Sequence, residues 1–226
     1  MLRKRLMALI VLTGILQACS NSGNKDKQGD ADTANTTIAQ STKTVKNILF
    51  FGTSLTAGYG LDPSEAYPAL VQNRIDSLKL PYKVINGGLS GETSAAGKGR
   101  IDWLLKQKVD IFVLELGSND GLRGVPVAET TKNLQSIIDS VKAKYPDVKM
   151  IMAGMQMPPS MGTKYAADFK NMFPELAKRN NMALIPFLLD KVGGIPKLNQ
   201  ADGIHPTAEG DKILAENVWA VLKPLL

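Results

Sequence analysis

The sequence predicts an α/β fold: a three-layer α/β/α sandwich built on a five-stranded parallel sheet. Two observations carry this. From residue 46 onward, five short apolar runs, at 47–51, 82–86, 110–116, 149–154 and 183–187, alternate with longer amphipathic stretches. Most of the runs are nearly continuous in apolar residues, as strands covered on both faces require. The five intervening and closing stretches have helical spacing, and each must bury its apolar face against the sheet, which puts helices on both sides.

The third helical stretch sets Leu134, Ile137, Ile138, Val141 and Tyr145 on one face at three- and four-residue spacing. The last is expected to open at Pro206, a residue suited to a first helical position. Its apolar face runs through Leu214, Val218, Val221 and Leu222 before Pro224 stops it. No internal repeat and no second domain is visible. Residues 46–226, about 180 residues, are enough for one domain with its own core.

The first 45 residues are of a different kind. Arg3, Lys4 and Arg5 precede an apolar run from Leu6 to Leu16, a run of about 11 residues that fits an export signal and is too short for a bilayer span. Residues 1–18 are therefore expected to be a cleaved signal peptide. Cys19, the only cysteine of the chain, closes Leu16-Gln17-Ala18-Cys19. This segment resembles the lipobox of bacterial lipoproteins, which implies that Cys19 is lipidated after cleavage. Gln17 departs from the small or apolar residue usual there, and an ordinary signal peptide with an incidental cysteine is the alternative. Two or more acyl chains suffice for stable anchoring. Residues 20–45 are mostly Ser, Asn, Gly, Lys, Asp, Gln, Ala and Thr, too polar to offset their ordering entropy, so 19–45 is expected to be a lipidated cysteine plus a flexible tether. The chain is thus expected in the bacterial cell envelope, membrane-anchored and monomeric.

Composition excludes one class of function. Losing residues 1–18 removes three basic and no acidic residues, lowering the formal charge from +6 to about +3. No stripe of Lys and Arg interleaved with aromatics remains, so nucleic acid is not an expected partner.

In open parallel sheets ligands bind beyond the carboxyl ends of the strands, and the chemistry-bearing residues fall there. After the first strand comes Gly52-Thr53-Ser54-Leu55-Thr56-Ala57-Gly58, where backbone can turn sharply and expose the Ser54 hydroxyl. It lacks the P-loop's Lys-Ser/Thr ending and the G-x-S-x-G elbow, and by itself reads more readily as a plain turn. After the second strand, Gly87-Gly88-Leu89-Ser90-Gly91 allows backbone N–H groups to point into a cleft, or is simply a loop before a cap at Thr93 or Ser94. After the third, Asn119 offers an amide donor, although Asn-Asp-Gly is also a turn sequence. Before the last helix lies Asp202-Gly203-Ile204-His205. His205 is the only histidine, and a carboxylate three residues earlier can reach one ring nitrogen while the other accepts a proton from a serine. One histidine with no cysteine partner in the domain cannot build the usual zinc ligand sets.

Taken together, these four segments resemble the GDSL, or SGNH, hydrolase family, and its thioesterase I, arylesterase and lysophospholipase-like branch in particular. Ser54, Gly91, Asn119 and the Asp202/His205 pair stand in the family's order, from about residue 46 to the C-terminus, and the run GSNDGLRG at 117–124 is the most specific match. One departure is that Thr53 stands where the family signature has Asp. The resemblance implies a flavodoxin-like sheet and a serine esterase acting on carboxylic esters or thioesters, some of them lipids. Its implied roles are Ser54 as nucleophile, His205 as general base and Asp202 as its orienting group. The Ser54 and Gly91 N–H groups and the Asn119 amide would form the oxyanion hole, with no cofactor and no metal. A carbohydrate O-deacetylase, or a tethered ligand-binding protein that keeps the fold without the reaction, are the alternatives.

Overall fold

The computed structural model describes residues 44–226; the expected signal peptide, Cys19 and nearly all of the expected tether lie outside the described residues. Five strands, β1 (Lys46–Gly52), β2 (Tyr82–Gly88), β3 (Ile111–Glu115), β4 (Lys149–Ala153) and β5 (Ala183–Ile185), form one parallel sheet in the order β2-β1-β3-β4-β5. That order puts the chain reversal at β1, which has β2 on one side and β3 on the other, and a crevice opens beyond the strand ends at such a switch point. The register sets Gly52 of β1 opposite Gly88 of β2 and Glu115 of β3.

The apolar runs form strands because both faces are covered: Ile48, Leu49, Phe50 and Phe51 of β1, and Phe112 and Leu114 of β3, have no exposed surface. One helical layer pairs α2 (Tyr67–Ser77) with α7 (Ala208–Leu222); the other sets α5 (Val127–Lys144) between α3 (Ser94–Leu104) and α6 (Thr163–Asn180). The face of α5 expected from spacing is the buried one, with Leu134, Ile137, Ile138 and Val141 fully covered. Two further helices, α1 (Ser54–Ala57) and α4 (Ser118–Leu122), are single turns at strand ends. They show no sequence periodicity because, at four and five residues, they are too short for the 3.6-residue pattern to recur.

The sequence expectation differs from the structure at the last helix. It begins at Ala208, and Thr207 rather than Pro206 prepares it: the Thr207 side chain caps the first turn by accepting from Gly210 N. A threonine cap satisfies an otherwise orphaned N–H, which a proline at the first position cannot do. Pro206 instead continues the preceding loop, where it bridges to Asn199. Among the described residues, no helix is long and apolar enough to cross a membrane.

The two helices of the first layer meet at a buried acid. Asp211 of α7 accepts a hydrogen bond from the Tyr67 N–H at 3.0 Å, and burial pushes its carboxyl up to about 7. Between pH ~4, the ordinary unfolded value, and pH about 7, the folded protein therefore holds a proton that the unfolded chain has released. The resulting stabilisation is complete below pH ~4 and is lost as pH rises to about 7, an effect on the order of 4 kcal/mol. Asp211→Asn is expected to remove this dependence. The difference in Tm between parent and variant should change by several degrees between pH 4.5 and 8, and parallel Tm-versus-pH curves would exclude it.

Candidate active site

Three strand ends and one loop converge at the switch point. Ser54 is the first residue of α1, immediately past the end of β1. Thr53 caps that turn, accepting from Leu55 N, and Gly58 ends it in the left-handed region at φ 74°. The serine hydroxyl is thereby lifted beyond the sheet edge.

His205 reaches it from 151 residues away, with 2.8 Å between its Nε2 and Ser54 Oγ. The other ring nitrogen, Nδ1, lies 2.6 Å from Asp202 Oδ2. The second carboxylate oxygen of Asp202 accepts from the backbone N–H of Ile204 and of His205, at 2.9 and 3.0 Å. The carboxylate thus closes its own loop while orienting the ring. The His205 ring hydrogen bond, followed by those two backbone donors, holds the Asp202 carboxyl down at about 2. It is an anion over the whole neutral range.

Two contacts outside the motifs keep the histidine loop in place. The Tyr59 ring packs on the imidazole, with centroids 4.5 Å apart. Gln200 bridges the two stretches: its Nε2 donates both to Tyr59 O, at 2.7 Å, and to Pro206 O, at 2.8 Å, while its backbone N–H donates to His205 O at 2.7 Å. Neither role shows in the residue's own segment, since Tyr59 meets His205 and Gln200 meets Tyr59 across more than 140 positions of sequence.

The loop from Leu89 to Thr93 forms the opposite wall. Gly91 has φ 78°, in the left-handed region that side-chain-bearing residues enter only with strain. Asn119, in α4 after β3, donates from Nδ2 to the Glu92 carbonyl at 3.0 Å, and Arg123 donates to the Gly91 carbonyl at 3.2 Å. With those carbonyls held, the Gly91 N–H has no acceptor among the described residues, and neither has the Ser54 N–H. The loop is further fixed by an ion pair between buried Glu92 and partly exposed Arg100. The arginine also donates to Gly87 O at 2.8 Å and stacks on Phe51 at 4.6 Å. Asp120, beside Asn119, accepts from the Ser94 N–H and hydroxyl at 2.7 and 2.5 Å, anchoring the start of α3. Of the five residues singled out in the folded part, Ser54, His205 and Asp202 form one hydrogen-bonded series; Gly91 lies on, and Asn119 is bonded to, the loop after β2, which the Leu89 N–H ties to Gly52 O at the end of β1 at 2.9 Å.

A hydroxyl, an imidazole and a carboxylate in hydrogen-bonded series, next to unpaired backbone donors at a parallel sheet's edge, are the elements of a hydrolase that works by nucleophilic acyl transfer. Comparison with known proteins supports that class. Residues 50–213 match the model of the GDSL-like lipase/acylhydrolase family. The chain is 41% identical over 182 residues to esterase TesA of Pseudomonas aeruginosa, covering 80% of this chain and 90% of that one. It is 36% identical to thioesterase 1/protease 1/lysophospholipase L1 of Escherichia coli K12, over 79% of this chain and 84% of that one. Among solved structures, that of TesA superposes with a TM-score of 0.77 over 80% of this chain and 100% of the other. The psychrotrophic esterase EstA of Pseudoalteromonas sp., solved inhibited by monoethylphosphonate, superposes with a TM-score of 0.75 at 30% identity, covering 80% of this chain and 98% of the other. The chain belongs to the GDSL-like lipase/acylhydrolase family, and it is a hydrolase of the GDSL type.

Proposed function

We propose that the chain hydrolyses carboxylic esters or thioesters through an acyl-enzyme on Ser54, with His205 as general base and acid and Asp202 as its orienting anion. The observation that carries this is the series Ser54 Oγ, His205 Nε2, His205 Nδ1, Asp202 Oδ2, with separations of 2.8 and 2.6 Å. Both lie within the reach needed for proton transfer.

Ser54 Oγ attacks the carbonyl carbon as its proton passes to His205 Nε2, and the carbonyl π pair moves onto oxygen. Asp202 remains ionised, holds the proton of Nδ1 and stabilises the imidazolium. The Ser54 and Gly91 N–H groups and the Asn119 amide receive the oxyanion, charge that develops only in the transition state. Asn119 Nδ2 has two hydrogens; the one on Glu92 O leaves the second for this task. Collapse of the intermediate breaks the bond to the alcohol or thiol, which leaves with the proton from His205. Water then gives its proton to His205 and attacks the acyl group, the acid departs, and the Ser54 hydroxyl is restored. The relatives named as esterase and thioesterase favour acyl esters and thioesters as substrates. Phosphonate inhibition of the EstA relative fits a nucleophilic serine at this site.

The segment at Cys19 supports attachment of the enzyme to a membrane of the bacterial envelope by a lipid chain, with a polar tether ahead of β1. An envelope location favours lipid or external esters over cytosolic acyl thioesters.

Ser54→Ala is expected to abolish both p-nitrophenyl ester hydrolysis and labelling by a fluorophosphonate probe, and undiminished turnover in the folded variant would end this assignment. Asn119→Ala should fold yet lose about 100- to 1,000-fold in kcat, the usual loss for one oxyanion donor; full activity would remove Asn119 from the site. Cys19→Ala is expected to move the protein out of the membrane fraction, and unchanged fractionation would rule out the lipid anchor.

A further inference from the structure

Glu115, the last residue of β3, has no exposed surface, yet it takes no part in the chemistry above. Its carboxylate leans across β1 to the turn that carries Ser54. It accepts from the Thr53 N–H at 2.8 Å, from the Thr53 hydroxyl at 3.0 Å and from the Thr56 hydroxyl at 2.9 Å. Gly52, its register partner, leaves it room: a Cβ there would meet Glu115 Oε2 at 2.5 Å and Thr56 Oγ1 at 2.1 Å. Thr56 in turn shares a 2.7 Å hydrogen bond with Tyr67, whose N–H is held by Asp211 of α7. The carboxylate therefore grips the turn on both sides of Ser54, from the strand beneath it.

Resting on the assignment of Ser54 as nucleophile, we propose that Glu115 is a positioning residue, which acts through the N–H and hydroxyl of Thr53 to hold Ser54 Oγ in line with His205. The residue at 53 gives this a chain-specific form. The family's signature Asp would set a second carboxylate at hydrogen-bond distance from Glu115, and two such groups cannot both ionise. Thr53 replaces an acceptor by a donor. Three donors now converge on one carboxylate, and its ionised form satisfies all of them without a shared proton. Burial pushes the Glu115 carboxyl up to about 7, and the hydrogen bonds from Thr53 and Thr56 oppose that rise. A buried carboxylate needs such donors for its charge to persist.

Glu115→Gln puts an amide N–H₂ where donors already point, and Thr53→Val deletes the hydroxyl at nearly constant volume. Each is expected to lower kcat on p-nitrophenyl butyrate about 10- to 100-fold with KM nearly unchanged, since a small misplacement of a reacting atom costs up to about 100-fold. Labelling of Ser54 by a fluorophosphonate probe should slow by the same factor. Thr53→Ser, which keeps both donors, should stay within about threefold of the parent, and the double variant should be no slower than the slower single one, because both cut one link. A folded Glu115→Gln enzyme with parental kcat, a loss confined to KM, or losses that multiply in the double variant would overturn the proposal. If Glu115→Gln does not fold, the contrast between Thr53→Val and Thr53→Ser decides: equal rates overturn the proposal, and a defect in Val alone supports it. A parent protein that the probe fails to label at Ser54 would overturn the hydrolase assignment and this inference together, whereas Ser54-dependent labelling that is indifferent to residues 53 and 115 overturns this inference alone.

Discussion

The register of β1 between β2 and β3 is the constraint on which the site depends. A parallel pairing that sets Gly52 level with both Gly88 and Glu115 delivers three strand ends to one place. From them leave the serine turn, the loop carrying Gly91 and the single turn carrying Asn119. A slip of one residue would reverse every side chain on the strand, exchanging residues of two fully packed faces. Packing that excludes water from Ile48 to Phe51 thus fixes the position of the Ser54 turn as a by-product of forming the core.

The histidine loop has no strand to guide it, and a set of short-range contacts serves instead. Asp202 accepts two backbone N–H groups of its own loop with one oxygen and the His205 ring with the other, so loop shape and imidazole orientation are set by one side chain. Gln200 then joins that loop to Tyr59, which follows the serine turn. The ordering entropy of a surface loop, about 1–2 kcal/mol per residue, is spent on folding. It does not then have to be supplied when substrate binds, which is how pre-organisation lowers a catalytic barrier.

Buried carboxyl groups are concentrated around the candidate site. Glu92 is paired with Arg100, Asp120 is saturated by Ser94, Glu115 faces only neutral donors in its hydrogen bonds, and Asp211 accepts from Tyr67. Each desolvated carboxylate costs stability unless hydrogen bonds compensate it. Such groups persist where they hold backbone that regular secondary structure does not, and here they hold the starts of α1, α2 and α3 together with the Gly91 loop. The large apolar core supplies the stability against which these costs are set.

The alternation of apolar runs with amphipathic stretches was enough to determine the layer architecture, because burial on two faces leaves a direct trace in residue order. The strand positions were legible to within two residues at every end; β2 runs two residues further than expected, to Gly88, and β5 stops two residues sooner, at Ile185. The residues proposed to carry the chemistry were marked in the sequence by local features: a serine after the first strand, an amide after the third, and a carboxylate three residues before the only histidine. The single-turn helices α1 and α4 were not, since one turn has no period to detect. Nor were the supports at Glu115, Gln200 and Tyr59, each of which depends on a partner 59 to 146 positions away along the chain. Composition and spacing record what a residue does with its own segment; only the packed sheet decides which distant segment it meets, because that meeting is set by register and close packing rather than by any local preference.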